Sequence, residues 1–211
     1  MADSGQDQDG RRQRATERRR DRRAKILSAS RKVFSVKGYH ACSVADIIDE
    51  AKIARGTFYL YFPSKRALFE ELLEEMFSEI TKAVRRITTD GGMESTLDQM
   101  SGNVRRVIEV LKGNRELTII LLREAVGLDS DFDHKLNMFY DRLSGLIDGA
   151  LRLGQSMGLV RPCDTRLVSY CMLGSVKEVM LRDLTDADRS VDTGGLAREI
   201  VDYNLRGVFR A

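Results

Sequence analysis

Apolar residues recur along this chain at three- and four-residue intervals, and no stretch alternates at period two, so the pattern predicts helices throughout. The first predicted helix covers 22–36, with Ile26, Leu27, Ser30, Val33 and Phe34 on its inner face, and Gly38 supplies a left-handed stop. Ser43 opens a second, short helix. Its hydroxyl is suited to cap that helix, and Asp46 stands three positions on, where a carboxylate reaches back to the cap amide. Val44, Ile47 and Ile48 give this helix one apolar face, with Asp49 and Glu50 turned to water. A third helix over 55–61 is too short and too polar-aromatic for a core element. Pro63 ends it, because the residue before a proline is pushed out of helical geometry. Ser64 then caps a long fourth helix reaching about 87, apolar at Leu68, Phe69, Leu72, Leu73, Met76, Phe77, Ile80 and Val84.

Residues 88–93 read as a loop. Further helices are expected over 94–112, 115–126, 130–153, 164–182 and 194–209. Gly113 and Asn114, Gly127, the region of Gly154 and Gly158 with Pro162, and the polar stretch 185–195 separate them. Ser130 with Asp133 is a further capping pair. The expected fold class is all-α, with about nine helices. Three segments follow: an arm at 1–22 expected to be disordered, a helix-turn-helix head over 23–70, and a helical domain over 71–211.

A short helix held against a supporting helix is the arrangement whose second helix enters the DNA major groove. On the third helix Arg55, Thr57, Tyr59 and Tyr61 carry donors suited to phosphates or base edges. Gly56 permits close approach of the backbone, and Lys52 offers a phosphate contact. Ser43, with the positive end of its helix, is a further phosphate candidate. Phe58, Leu60 and Phe62 are the competing packing residues, and for Phe58 and Phe62 packing is the expected role.

Charge reinforces this picture. The net charge is +3, but residues 1–70 hold 16 Lys/Arg against 9 Asp/Glu, a balance of +7, and the remainder carries −4. Positive charge is therefore concentrated at the head, as binding to a polyanion requires. Residues 11–23 include eight arginines, Arg22 and Arg23 among them. They read either as a solvated, partly helical extension of the first helix or as a basic arm on the DNA backbone or minor groove.

The run ARGTFYLYFPSKRALFEEL and the upstream FSVKGYHACSVADI resemble the DNA-binding head of the tetracycline-repressor (TetR) family of bacterial regulators, over about residues 23–73. Beyond that the chain resembles the family in length and all-helical pattern. One departure is that Lys52 and Ala54 stand where the family often has glycine and serine; Ala54 has no side-chain oxygen to cap the third helix. The resemblance implies that Tyr59, Tyr61 and Lys65 contact phosphates while Arg55, Gly56 and Thr57 face bases. It also implies an effector pocket among the middle helices and dimerisation through the last two, with the long fourth helix as the lever between head and pocket.

For the pocket, soft or polar residues on otherwise apolar faces are the candidates: Met76, Phe77, Met100, Val104, Leu121, Glu124, Phe139, Tyr140 and Leu143, with Arg123, His134, Asn137 and Met138 nearby. For the dimer interface they are Val168, Cys171, Met172, Ser175, Val179, Ile200, Val201, Leu205 and Val208; the alternative is that these faces complete the subunit's own core.

No apolar run approaches the ~20 residues of a membrane span, and no signal peptide opens the chain, so a cytoplasmic protein without a membrane partner is expected. Cys42, Cys163 and Cys171 lack metal-ligand spacing and read as buried thiols, with redox sensing by Cys163 or Cys171 as the alternative. His40 and His134 lie in different helical units with no nucleophile, metal cluster or phosphate loop beside them, so no catalytic residue, metal or cofactor is expected. Taken with the resemblance, the expected protein is a homodimeric regulator, a repressor, that binds a palindromic double-stranded DNA operator; its release by a small apolar effector is what the resemblance implies. The competing readings are the same fold without a small-molecule effector, an activator, and an enzyme or carrier with a vestigial head.

Overall fold

The computed structural model describes residues 4–88, 92–124, 130–186 and 192–208; the side chains of 4–11, 92–95, 124, 130–132 and 205–208 are outside the description. Nine helices run along the described residues: α1 (Ser4–Ala41), α2 (Val44–Ala51), α3 (Arg55–Tyr61), α4 (Lys65–Ala83), α5 (Gly92–Gly113), α6 (Arg115–Ile119), α7 (Ser130–Ser156), α8 (Thr165–Thr185) and α9 (Thr193–Val208). α6 continues as a π-helical segment, Ile120–Glu124. The chain divides into two units, Met1–Leu72 and Leu73–Ala211, and the boundary falls inside α4.

In the first unit the five predicted inner-face residues of α1, Ile26, Leu27, Ser30, Val33 and Phe34, are all buried. The Ser30 hydroxyl donates to the Leu27 carbonyl at 2.7 Å, so the one polar member is satisfied within its own helix. Phe34, Tyr39 and Phe69 form an aromatic knot with centroids 4.9–5.9 Å apart. Helical geometry breaks at Gly38 (φ 72°, ψ 172°), a conformation reserved for glycine. Backbone from Ser4 to residue 22 is helical and continuous with α1, the form that one of the two readings of the arginine-rich stretch expected. Arginine, glutamine, glutamate and alanine lose little rotamer freedom in a helix, and extending an existing helix needs no new nucleus.

α2 begins with the predicted capping box. Asp46 N–H donates to Ser43 Oγ at 3.2 Å, and Ser43 N–H donates to Asp46 Oδ2 at 2.8 Å. It ends at Lys52, which adopts left-handed geometry (φ 50°) with its N–H on the Asp49 carbonyl. The Ser64 hydroxyl accepts from Ala67 N–H at 3.0 Å and so caps α4, as expected.

In the second unit α5 packs on α9 and α7 on α8. Ile108, Met180, Leu184, Ala197 and Ile200 form one buried cluster, and Leu151 with Val160 a smaller one. α4 ends at Ala83, not near 87, and α5 starts at Gly92, earlier than expected. Side-chain amides hold the intervening backbone: Asn103 accepts from Arg85 N–H and donates to the Arg85 carbonyl, and Gln99 does the same at Thr88, all at 2.8–2.9 Å. Arg106 Nε also donates to the Ala83 carbonyl at 2.8 Å. These long-range bonds outcompete continuation of α4, and periodicity alone does not reveal them. The proposed Ser130–Asp133 cap lies outside the described residues. At the end of α7, Gly154 is required by close approach: a Cβ there would stand 2.6 Å from Val160 Cγ2.

Two expectations follow from the head. Left-handed geometry costs a non-glycine residue about 1–2 kcal/mol, partly offset by glycine's extra entropy when unfolded. Lys52→Gly is therefore expected to raise stability by about 0.5–1 kcal/mol, read from the urea midpoint. The Asp46 carboxyl is held down to about 2, first by the hydrogen bond from Lys37 and then by the Ser43 amide and hydroxyl. Such a group contributes fully above its ordinary value of 3.8 and loses its contribution as pH falls through about 2. Asp46→Asn is expected to shrink the stability difference between about pH 5 and about pH 2, measured by denaturant unfolding at both.

Candidate nucleic-acid interface

α3 has no side-chain cap at Ala54, and its stability comes from packing. Phe58 and Phe62, four residues apart, are both fully buried. Each large buried side chain contributes about 2 kcal/mol, which outweighs the ~1 kcal/mol that a missing cap forfeits. The Arg23 guanidinium lies over the Phe62 ring at 5.3 Å and pairs with Glu71. With Phe58 and Phe62 turned inward, Arg55, Gly56, Tyr59 and Leu60 are exposed, and Thr57 and Tyr61 are half-buried. Arg55 lies 5.9 Å from the centroid of the Tyr59 ring.

Leu60, 71% exposed, is the residue that sequence reasoning left among the packing candidates. Its signal was available: a position midway between two inward residues four apart lies on the opposite helix face. Gly56 meets no constraint in the free protein, since a Cβ there would find nothing within 4 Å.

The other predicted contacts divide. Arg22 and Lys52 are exposed. Ser43 Oγ is committed to Asp46, donating to Oδ2 at 2.8 Å, and Lys37 Nζ reaches the same carboxylate at 2.6 Å. Arg23 is committed to Glu71. Lys65 has internal partners in the free protein: its Nζ donates to the carbonyls of Tyr39 and Cys42, both at 2.6 Å, and lies 4.4 Å from the Tyr39 ring centroid. Burial lowers its pKa, and burial pushes the neighbouring Cys42 thiol up. Lys65 is thus an internal brace with one donor left, a role that spacing from Tyr59 does not disclose.

In the second unit, part of the predicted pocket set comes together. Phe77 and Phe139 meet edge to face at 6.1 Å, Phe139 adjoins Tyr140 at 5.8 Å, and the Tyr140 hydroxyl donates to the Leu121 carbonyl at 3.2 Å. Met76 is buried, with its sulfur 3.8 Å from Thr118 Oγ1. Val104 instead joins the Ile108–Met180 cluster, Met100 and Leu143 are half-buried, and Glu124 lies outside the described side chains. Arg123, His134, Asn137 and Met138 are exposed. Lys177, Arg142 and Thr118 were not anticipated. Arg142 lies 3.7 Å over Phe77 and pairs with Glu74, and Lys177 Nζ lies 3.6 Å over Tyr140.

The predicted dimer residues are largely consumed within the subunit. Val168 and Met172 pack on Leu151 and Val160, Val179 joins the Met180 cluster, and Ile200 and Val201 are buried. The Ser175 hydroxyl donates to the Met172 carbonyl and accepts from Asn204 Nδ2 at 3.3 Å. Cys171 is exposed and Cys163 half-buried, so of the three cysteines expected to be buried only Cys42 is; the side chains of Leu205 and Val208 lie outside the description. Periodicity marks an apolar face without saying which helix covers it. The exposed large apolar positions of this region are instead Met138, Leu146 and Leu153 on α7, Met157 just after it, Leu167 and Tyr170 on α8, and Tyr203 on α9.

A family model described as "Bacterial regulatory proteins, tetR family" matches residues 26–72, the span that carries α2, α3 and their braces. The HTH-type transcriptional regulator YdgC of Bacillus subtilis is 27% identical over 192 residues, covering 88% of this chain and 92% of that protein. The fatty acid degradation regulator FadR from Bacillus halodurans shares the fold with a TM-score of 0.74 at 24% identity, covering 88% of this chain and 95% of that one. FadR from Bacillus subtilis, solved in complex with stearoyl-CoA, superposes with a TM-score of 0.72 at 23% identity over 87% of this chain and 98% of that one. With its braced helix-turn-helix, outward polar α3 and all-helical second unit, the chain belongs to the TetR family of bacterial DNA-binding transcriptional regulators.

Proposed function

We propose that this protein is a homodimeric cytoplasmic repressor that binds a palindromic operator through α3 and leaves it when a small apolar effector occupies the second unit. The observation that carries the reading is the outward face of α3, where Arg55, Gly56, Tyr59 and Leu60 are exposed over two buried phenylalanine anchors. Arg55 suits the paired acceptors of guanine, and the methyl of Thr57 and the side chain of Leu60 suit the thymine methyl. A glycine inside a helix costs about 0.5–1 kcal/mol relative to alanine. Packing in the free protein does not require Gly56, which supports close approach of a partner at that point. Arg22, Lys52 and the exposed arginines of the α1 arm supply the phosphate contacts.

Two-fold symmetry brings the two α3 helices into successive major grooves about 34–36 Å apart. The exposed apolar positions on α7 and α8, with Cys171 among them, support a subunit contact on that face. For the effector, the aromatic cluster of Phe77, Phe139 and Tyr140 supports an apolar ligand. The stearoyl-CoA bound by the Bacillus subtilis relative suggests a long-chain acyl compound as its class. The effector acts by its differential affinity for the DNA-bound and released states.

Selection of bound duplexes from a random DNA pool at physiological salt tests the reading: an enriched palindrome is expected, and salt-sensitive binding without any enriched motif would overturn it. On the selected operator, Arg55→Ala is expected to relax preference at one position per half-site by about 1–3 kcal/mol, measured by competition between operator variants. Deleting residues 1–22 is expected to weaken binding to all duplexes and flatten its salt dependence, with the unfolding transition retained. Unchanged affinity would make the arm a passive extension of α1.

A further inference from the structure

Several cations in the second unit have anionic partners among the described residues. Arg105 pairs with Glu109, Lys112 with Asp183, Arg142 with Glu74, Arg152 with Asp148 and Arg182 with Glu178. Of the other described cations of that unit, Arg106 is hydrogen-bonded to the Ala83 carbonyl and Asn103, and the rest are exposed, with the exception of Lys177 on α8. It is half-buried, its ammonium lies 3.6 Å over the ring of Tyr140, and no described residue gives it a hydrogen bond or an ion pair. The adjacent Glu178 is spent on Arg182. Burial lowers the Lys177 pKa and raises that of the Tyr140 phenol to about 12.

Withdrawing an ammonium from water is costly unless a hydrogen-bonding anion accompanies it, and a ring face compensates only part of that cost. The surroundings add a second observation. Tyr140 is tied by its hydroxyl to the Leu121 carbonyl, inside the π-helical segment Ile120–Glu124. π-Helical turns are rare and are frequently found at functional sites. Buried Phe139 and half-buried Phe77, the latter with Arg142 over its ring, continue the aromatic cluster from Tyr140.

We infer that Lys177 is the seat for the anionic group of an amphiphilic ligand, its three N–H donors receiving a carboxylate or phosphate while the apolar chain packs against the half-buried rings of Tyr140 and Phe77, which Phe139 backs from the core. This deepens, and rests on, the effector reading above. The ammonium selects for charge and the aromatic residues for the chain. An uncharged ligand of the same length gains only the second contribution.

The test is isothermal titration of the full-length protein with dodecanoate, dodecanoyl-CoA and dodecanol below their micelle concentrations. Wild-type protein is expected to bind at least one of the two anionic probes tenfold or more tighter than the alcohol. Lys177→Met, which keeps the apolar stem, is expected to reduce that preference to within about twofold while leaving dodecanol affinity unchanged, and Lys177→Arg to restore most of it. Circular dichroism on each variant verifies the fold. A gain confined to dodecanoyl-CoA assigns the anion as phosphate, and a gain with dodecanoate assigns it as carboxylate. If Lys177→Met keeps the wild-type preference, or if the wild type binds the alcohol as tightly as the anions, the seat is overturned while an apolar effector survives. Binding of none of the three overturns both.

Discussion

Two backbone carbonyls near the end of α1, those of Tyr39 and Cys42, each receive an N–H of Lys65 at 2.6 Å. This contact ties the first residue of α4 to the end of α1 and encloses α2 and α3 between its ends. Without the ammonium, both carbonyls would compete for solvent in a partly buried turn, and an unmade hydrogen bond at such a site costs about 1–3 kcal/mol. The Tyr39 ring completes the arrangement: it lies beneath the ammonium and against Phe69 of α4. Lys65 keeps its charge despite burial because the carbonyl dipoles and the ring face all favour the cation. The raised pKa of Cys42 keeps that neighbour a neutral thiol.

Given this frame, α3 needs little of its own. It has seven residues, no side-chain cap and a glycine in its first turn. An isolated helix of that length is not stable in water. Phe58 and Phe62 supply the anchorage, and Arg23 with Glu71 closes over the outer edge of Phe62. Because two side chains hold the helix, the others remain available outside. The polar residues of α3 are therefore displayed by a rigid support rather than by a flexible loop, the condition under which base contacts carry specificity.

The head was legible in the sequence because its signals are local. Ser43 and Asp46 declare a capping box, Pro63 a stop, and Ser64 a second start. The apolar face of α1 follows from spacing alone. Interactions between residues distant in sequence were not legible. The resemblance implies a phosphate contact for Lys65, and its ammonium donates in the free protein to carbonyls 23 and 26 residues upstream. The end of α4 was misread because Asn103 and Gln99, on another helix, replace its next helical bonds. The apolar faces of α8 and α9 were real, but α5, α7 and each other cover them. A pattern of period 3.6 specifies that a face is buried and leaves open what buries it.

The local departures from ideal structure in the head are not scattered. Lys52 is the sole described non-glycine residue with positive φ, and it lies three positions before α3. Ala54 leaves α3 uncapped, and Gly56 weakens its first turn without relieving any steric conflict. Each departure costs on the order of 1 kcal/mol. Burial of Phe58 and Phe62 offsets a comparable total, so α3 is held firmly at its C-terminal half and lightly at its start. The lightly held end is also the exposed one, carrying Arg55 and Gly56. Sequences agree with their folds at most positions, and they depart from local preference where a function sets other demands. Three such departures in five residues mark the start of α3 as the part of the head shaped by its partner.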